Sequence, residues 1–224
     1  MEKERQVLVV FPHPDDEAFG VSGTLASYAE MGTPVTYVCL TLGEMGRNLG
    51  NPPFATRESL PKIRKKELQD AADAIGIKDL RMMGLRDKTV EFEDDEELTG
   101  KISAIISELD PSLIITFYPG YSVHPDHEAT GRAVVRAVER IDEASRPKLY
   151  CAAFSNNCTD ELGEADITHD VTAVQDKKLA AMKAHRSQTE SMLATWADKM
   201  KNNDPQLLSW IRNERLWTYQ WPKK

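Results

Sequence analysis

Residues 7–17 read Val-Leu-Val-Val-Phe-Pro-His-Pro-Asp-Asp-Glu, an apolar run that ends in a cluster of ionisable side chains. Five bulky, uncharged residues, mostly β-branched or aromatic, predict a buried strand over residues 7–11. The pattern over residues 17–28 predicts a helix. The polar cluster therefore lies in a strand-to-helix turn at the carboxyl end of a strand, where open α/β sheets bind their ligands.

This turn is a candidate metal or catalytic site, because it places one imidazole and two carboxylates within four residues, His13 to Asp16. The alternative is purely structural, with Asp16 as a helix N-cap and Asp15 as a turn residue. That alternative explains one carboxylate and leaves His13 without a role.

A second cluster, His124-Pro125-Asp126-His127, follows another apolar run at residues 113–117 and opens another predicted helix. Taken alone, its two histidines could be polar residues at a helix start. Two His-Pro-Asp clusters, each at a strand end, instead predict one shared site in the crevice between the strands.

The remaining apolar segments predict a strand-helix alternation along the whole chain. Strands are predicted over residues 34–40, 79–83, 148–154, 166–171 and 215–221, and helices over 62–76, 91–109 and 173–185. This order predicts an α/β fold, a Rossmann-like three-layer sandwich with a mostly parallel sheet and right-handed crossovers. The first and fourth strands are expected to be neighbours at the switch point of the sheet.

Length and composition predict a single domain over residues 1–224. The net charge of −8 argues against binding nucleic acid. The first apolar run is too short for a signal peptide or a membrane span. Three cysteines without a C-x-x-C spacing indicate reduced thiols, so we expect a cytoplasmic protein.

The two clusters together supply the groups that amide hydrolysis needs. His13, Asp16 and His127 form a two-histidine, one-carboxylate set, which is typical of catalytic zinc with an open position for water. Iron(II) also suits this set. Asp15 lies beside the ligands and is a candidate general base. His124, one helical turn from His127, is a candidate proton donor or oxyanion stabiliser.

Two more residues are candidates outside the clusters. Arg64 lies on the predicted helix over 62–76, three residues before Glu67, and a surface ion pair between the two is the alternative interpretation. Asp87 follows the third predicted strand and is either a turn residue or a substrate contact. The long polar loop before residue 61 is a plausible rim of the site.

At these residues the sequence resembles the LmbE-like / PIG-L family of zinc-dependent N-acetylglucosaminyl deacetylases. The resemblance rests on the two His-Pro-Asp motifs and on three shorter stretches: Arg-x-x-Glu-x-x-x-Ala at 64–71, Gly-Leu-Arg-Asp at 84–87 and His-Arg-Ser-Gln at 185–188. It implies a Rossmann-like fold and removal of acetate from an N-acetylglucosamine that carries a second group. It also implies one zinc ion per chain held by His13, Asp16 and His127, Asp15 as base, His124 as stabiliser of the intermediate, and Arg64 and Asp87 facing the substrate.

Within the family the chain looks most like the deacetylases of bacillithiol biosynthesis, which implies N-acetylglucosaminyl malate as substrate. Arg47 and Arg57 on the long loop suit an anionic aglycone. The chain departs from some relatives, which carry Arg immediately before the second His motif or Tyr two residues before its first His. Here those positions are Val123 and Ser122, with Tyr121 one residue further back.

Three alternatives stay open from the sequence: a deacetylase of another N-acetylglucosamine conjugate, a non-catalytic metal- or sugar-binding module, and a metal-dependent phosphoesterase. The last normally uses a two-metal site richer in carboxylates. The expected partner is a small amino-sugar molecule, with neither nucleic acid nor membrane, and a homo-oligomer is left open.

Overall fold

A computed structural model describes residues 1–222 of the chain. Its strands are β1 Val7–Phe11, β2 Val35–Thr41, β3 Asp79–Leu85, β4 Leu113–Phe117, β5 Lys148–Ala152, β6 Ile167–Asp170 and β7 Asn213–Thr218. They form a mixed sheet in the order β3-β2-β1-β4-β5-β7-β6. The first five strands are parallel, and β7 runs antiparallel to β5 and β6. The predicted neighbours β1 and β4 are paired.

Helices cover both faces of the sheet, which confirms the three-layer α/β prediction. They are α1 Asp16–Gly20, α2 Ser22–Glu30, α3 Leu60–Ile75, α4 Asp95–Leu109, α5 Pro125–Glu139, α6 Cys158–Leu162, α7 Gln175–Ala184, α8 Arg186–Lys201 and α9 Pro205–Arg212. No helix within residues 1–222 is both long enough and apolar enough to cross a membrane.

Strand β1 is the centre of the hydrophobic core, and each of its side chains is at most 1% exposed. Alternate residues of a strand face opposite sides of the sheet. Val9 accordingly packs in the core cluster that holds Leu68 of α3 and Met182 of α7. Val10 packs in the other cluster, with Ile102 of α4 and Val134 of α5. This double burial explains the uninterrupted apolar run and brings the following turn to the sheet edge.

The helix predicted over residues 17–28 is two helices, with a break at Val21 (φ −146°, ψ 6°). Helix α2 begins against a carboxylate from the far end of the chain. Glu214 accepts hydrogen bonds from the backbone N–H of Gly23 (3.0 Å) and of Thr24 (2.7 Å). A carboxylate at a helix N-terminus satisfies otherwise unpaired N–H groups and favours the positive end of the helix dipole.

The segment between residues 186 and 212 is helical, which the sequence analysis did not predict. The predicted helix end at His185 is confirmed, because His185 is the C-cap of α7, but a new helix, α8, begins directly after it. Helix α9 begins at an N-cap, where the Asp204 carboxylate accepts the N–H of Leu207 at 2.9 Å. Strand β7 therefore begins at Asn213, two residues earlier than predicted. Cys39, Cys151 and Cys158 are buried free thiols.

Candidate active site

The turns after β1 and β4 bring His13, Asp16 and His127 together at the carboxyl edge of the sheet. His13 Nδ1 lies 3.1 Å from His127 Nε2. The Asp16 carboxylate bridges the pair, with Oδ2 at 3.4 Å from His13 Nδ1 and Oδ1 at 3.2 Å from His127 Nε2. The structure therefore assembles the three residues that the sequence singled out as metal ligands.

Each imidazole has an oxygen acceptor at its outer nitrogen. His13 Nε2 lies 3.1 Å from Asp126 Oδ2 and 3.2 Å from Asp87 Oδ1. His127 Nδ1 lies 3.2 Å from the carbonyl oxygen of Ser122. With a divalent ion bound, these acceptors would keep the protons on the outer nitrogens and leave the lone pairs of His13 Nδ1 and His127 Nε2 for the ion. Such outer acceptors fix the tautomer and orientation of metal-binding histidines.

Asp126 has a role in this arrangement that the sequence analysis missed. Its side chain is fully buried, and its carboxylate accepts the backbone N–H groups of Lys88 (2.7 Å) and Val90 (3.1 Å) besides facing His13. Asp126 thereby links the α5 turn to the loop after β3 and to His13. The signal was present as the aspartate inside His-Pro-Asp-His, although its burial is not visible in a single sequence.

The donor set fits a single divalent cation. Ligands around tetrahedral zinc, with bonds of about 2.0–2.2 Å, are separated by roughly 3.3 Å. Here the two imidazole nitrogens are 3.1 Å apart, and Asp16 offers a different carboxylate oxygen to each of them, Oδ2 at 3.4 Å from His13 and Oδ1 at 3.2 Å from His127. The surroundings are rich in negative charge. Burial alone would lower the pKa of His13, but hydrogen bonds to Asp126, Asp16 and Asp87 raise it to about 12. A cation neutralises such a surplus of carboxylates.

Asp15 is the N-terminal boundary residue of α1. Its backbone is left-handed (φ 95°), and its carboxylate makes no capping hydrogen bond to the helix. Arg64 Nη2 donates to Asp15 Oδ2 at 2.8 Å. Burial raises the pKa of Asp15 to about 6, against the opposing attraction of Arg64. A carboxylate with such a pKa is ionised at neutral pH and is still basic enough to accept a proton.

Arg64 is buried, with 3% of its surface exposed, so the surface ion pair with Glu67 is wrong. Its guanidinium donates to the carbonyl oxygens of Gly43 (2.9 Å) and Pro14 as well as to Asp15. Glu67 turns to the start of α8, where its carboxylate accepts the N–H (2.6 Å) and hydroxyl (2.7 Å) of Ser187. Arg64 therefore ties the first turn to the loop after β2.

His124 is the N-cap of α5 and stands next to the assembled ligands. Its Nδ1 accepts the backbone N–H of Asp126 at 3.2 Å, so the proton of the neutral ring is on Nε2. Its ring centroid lies 4.8 Å from that of His13. Burial lowers the pKa of His124, and the nearby His13 and His127 lower it further. The residue is thus a neutral N–H donor at the edge of the site.

The two positions where the chain departs from some relatives do not offer another donor. The side chain of Val123 is apolar and largely exposed. The Ser122 hydroxyl donates to Glu128 at 2.8 Å, and the Tyr121 hydroxyl donates to Glu161 at 2.9 Å. Since both hydroxyl protons are used elsewhere, His124 is the donor that remains on this turn.

A buried pair behind the site, Glu17 and His185, was also missed. His185 Nε2 lies 2.5 Å from Glu17 Oε1, and both side chains are fully buried. Glu17 Oε2 accepts the backbone N–H of Asp15 (3.1 Å) and the hydroxyl of Tyr37 (3.1 Å). Through Glu17, the pair therefore stabilises the left-handed backbone of Asp15. Its sequence signals were the glutamate directly after the Asp-Asp motif and the His-Arg-Ser-Gln stretch at 185–188, but neither showed that the two side chains meet.

A polar cavity of about 290 Å³ opens above the ligands. Asp87 lies in its wall, and its Oδ2 accepts the N–H of Met45 at 2.8 Å. Other lining residues that the sequence did not assign to the ligand set are Gly46, Arg47, Lys88 and Gln188. The long loop after β2 thus contributes to the cavity rim, and Arg57 donates to the carbonyl oxygen of Gly46 from outside.

Comparisons with known proteins find relatives that match nearly the whole chain. A probable N-acetyl-alpha-D-glucosaminyl L-malate deacetylase 2 of Bacillus cereus is 56% identical over 218 residues, which cover 97% of this chain and 99% of that protein. The protein of the same name in Bacillus subtilis is 53% identical over 218 residues, which also cover 97% of this chain and 99% of that protein. Among solved structures, the N,N'-diacetylchitobiose deacetylase of Pyrococcus horikoshii matches with a TM-score of 0.72 and 22% identity. That match covers 96% of this chain and 84% of the other, and it supports the fold alone.

The family model described as PIG-L, GlcNAc-PI de-N-acetylase, matches residues 8–138. This range contains both His-Pro-Asp turns, Arg64 and Asp87. On the strength of that match and of the two bacillary relatives, the chain belongs to the PIG-L family of de-N-acetylases.

Proposed function

We propose that this chain is a zinc-dependent hydrolase that removes acetate from N-acetylglucosaminyl malate. The observation that carries the proposal is the convergence of His13 Nδ1, His127 Nε2 and the Asp16 carboxylate within 3.1–3.4 Å, with Asp15 and His124 beside them. The choice of substrate rests on two relatives that are more than 50% identical to this chain and are named as deacetylases of N-acetylglucosaminyl malate.

His13, Asp16 and His127 would hold the ion. A divalent ion bound there would polarise the amide carbonyl and lower the pKa of the attacking water. Zinc is the proposed metal because two neutral imidazoles and one carboxylate leave an open fourth position. Iron(II) is the alternative that the same ligands support.

Asp15 accepts the proton of the attacking water. Its carboxylate is ionised at neutral pH, and Arg64 and the backbone bond to Glu17 hold it in place. The proton then passes to the departing nitrogen, so that the C–N bond breaks and a primary amine and acetate leave.

His124 donates a hydrogen bond to the oxyanion that develops on the carbonyl. The N-cap bond at Nδ1 leaves the Nε2 proton for this purpose, and the donor is in place before the reaction begins. Donors oriented in advance stabilise developing charge more strongly than water does.

The sugar lies in the polar cavity, with Asp87 and Arg64 in its wall. Asp87 is an acceptor for sugar hydroxyls, and Arg64 positions the base next to the reacting amide. Arg47 in the cavity lining would pair with an anionic aglycone such as malate, with Arg57 behind it on the same loop.

Acetate release from N-acetylglucosaminyl malate tests this proposal. We expect one acetate and one free amine per substrate from the metal-loaded protein, loss of turnover with a chelator, and recovery when zinc is restored. Metal-loaded protein that releases no acetate from this substrate or from N-acetylglucosamine would indicate the alternative of a non-catalytic binding module.

A preference for free N-acetylglucosamine over N-acetylglucosaminyl malate would contradict only the proposal that malate is the aglycone. It would keep the deacetylase assignment and point to another N-acetylglucosamine conjugate. Release of phosphate from a sugar phosphate, with no acetate, would indicate the phosphoesterase alternative.

A further inference from the structure

A second cavity, of about 380 Å³, lies against the same ligands as the polar cavity. Asp16 and His127 line both cavities, so each cavity reaches residues of the proposed ligand set. We call the second one the aromatic cavity, because its walls include Phe19, Phe117, Phe154 and Trp210. The function proposed above uses the polar cavity and leaves the aromatic one without a role.

Two charged residues of the aromatic cavity, Lys178 and Glu214, form an ion pair with each other. Lys178 Nζ lies 2.8 Å from Glu214 Oε1, and each side chain is 1% exposed. Glu214 also caps helix α2. Lys178 in addition sits over the ring of Trp210 at 4.9 Å. This pair therefore stabilises the fold, and Arg215 is the other cation of the lining, where it is exposed. The remaining lining is largely aromatic and alanine side chains.

An amide has one substituent on its nitrogen and one on its carbonyl carbon, and the two point in opposite directions. If the sugar nitrogen lies toward the polar cavity, as in the proposed function, the acyl group points toward the aromatic cavity. Phe117, stacked on His127 at 4.0 Å, and Phe154, 5.7 Å from the same ring, form the wall that an acyl chain would meet first.

We propose that the aromatic cavity is an acyl-binding subsite that admits linear acyl chains longer than acetyl. This inference rests on the proposed function. The chemistry is unchanged: water adds to the carbonyl carbon, the C–N bond breaks, and a carboxylate and a primary amine leave. The cavity is far larger than a methyl group, so substrates from N-propionyl to N-hexanoyl have room for their chains.

Gly20, at the end of α1, offers a way to narrow the cavity. It lines the cavity, and among residues 1–222 no heavy atom would lie within 4 Å of a Cβ built there. The Cβ of a leucine at this position therefore meets no neighbour, and the rest of the side chain adds volume at the cavity wall. Gly100 in α4 provides the control, because a Cβ there also has no neighbour within 4 Å among the described residues and α4 does not line either cavity.

The test is a series of N-acyl glucosaminyl malates with acetyl, propionyl, butyryl and hexanoyl groups, assayed by release of the free amine. For the unmodified protein we expect kcat/KM on the butyryl substrate within about tenfold of that on the acetyl substrate. Gly20→Leu should lose activity progressively with chain length, by about a hundredfold on the hexanoyl substrate. Gly100→Leu should show the unmodified profile at every length.

Binding of hexanoate, measured by calorimetry, gives a second result that does not depend on turnover. The metal-loaded protein should bind hexanoate more tightly than acetate, because each buried methylene contributes up to about fourfold in affinity. Gly20→Leu should remove that advantage, and Gly100→Leu should keep it. Ala153→Leu, on the opposite wall, serves as a second narrowing variant should Gly20→Leu fail to fold.

Three results would overturn the inference, and they are distinguishable. Hydrolysis of the acetyl substrate with rejection of the propionyl one would remove the acyl subsite and keep the deacetylase. A Gly20→Leu protein impaired equally at all chain lengths, and only with malate attached, would place the aglycone in the aromatic cavity. No amine from the acetyl substrate would overturn the proposed function as well.

Discussion

Hydrogen bonds to the outer nitrogens of two imidazoles decide what the site can bind. Asp126 at His13 and the Ser122 carbonyl at His127 would hold the protons on the outer nitrogens once an ion is bound, so that one lone pair from each ring is left for the ion. The ligands themselves were predictable from the two His-Pro-Asp motifs, since few structural roles explain so many ionisable groups in one turn. Their outer acceptors were not, because a buried aspartate and a carbonyl oxygen carry no distinctive pattern in one sequence.

Replacing Asp15 with asparagine separates the base from the metal ligands. Asp15→Asn keeps the side-chain volume but cannot accept the water proton, so we expect turnover to fall ~10²–10⁴-fold. The metal content, measured by elemental analysis, should stay at one ion per chain. Near-normal turnover in metal-replete Asp15→Asn would remove Asp15 from the role of base.

The pH profile tests the contact between Asp15 and Arg64. Asp15 works when ionised, so kcat/KM falls as the pH drops through its pKa, and the Arg64 guanidinium lowers that pKa. Arg64→Gln should therefore move the acidic limb to higher pH, by about one unit. Arg64→Lys should restore part of the shift.

Lys65→Gln is the matched control for this change, because it removes the same charge from an exposed neighbouring position. Its acidic limb should coincide with that of the unmodified protein. If the acidic limb of kcat/KM against pH did not move in Arg64→Gln, a group other than Asp15 would control the pH profile.

Secondary-structure elements were predictable where their own residues determine them. The central strands β1 and β4 match their predicted bounds, because strands buried on both faces read as uninterrupted apolar runs. The break between α1 and α2 was not predictable. Glu214 caps α2 from a position 190 residues away, and no local sequence pattern predicts such a contact. Helix α8 was missed because its mixed polar sequence gives a weak apolar stripe, and α9 was missed because its stripe extends over only eight residues.

Two glycine-to-alanine changes test the packing at α2. A Cβ at Gly23 would lie 2.6 Å from the Val171 Cβ, so Gly23→Ala should force α2 away from the end of β6 and lower the free energy of unfolding by about 1–3 kcal/mol. Gly100→Ala, in the open middle of α4, should raise it by about 0.5–1 kcal/mol. Urea unfolding measures both. Equal effects of the two changes would contradict the packing argument.

On the scale of the whole molecule, the residues after the family match complete the site. The match ends at residue 138, and His185, Ser187 and Glu214 reach back to contact Glu17, Glu67 and the start of α2. The sequence analysis predicted the strand alternation of this later part but not these contacts. Global charge was likewise a poor guide to the site, because the net charge of −8 coexists with Arg47 and Arg64 in the cavity lining.

Metal content measured together with acetate release tests the central claim, that His13, Asp16 and His127 hold one catalytic divalent ion. Elemental analysis of the unmodified protein should give one ion per chain, and His127→Ala should lose the ion and acetate release together. His124→Ala is the matched change on the same turn, and it should keep the ion while kcat falls by about 10²–10³-fold. A His127→Ala protein that retains one ion per chain would contradict the assignment.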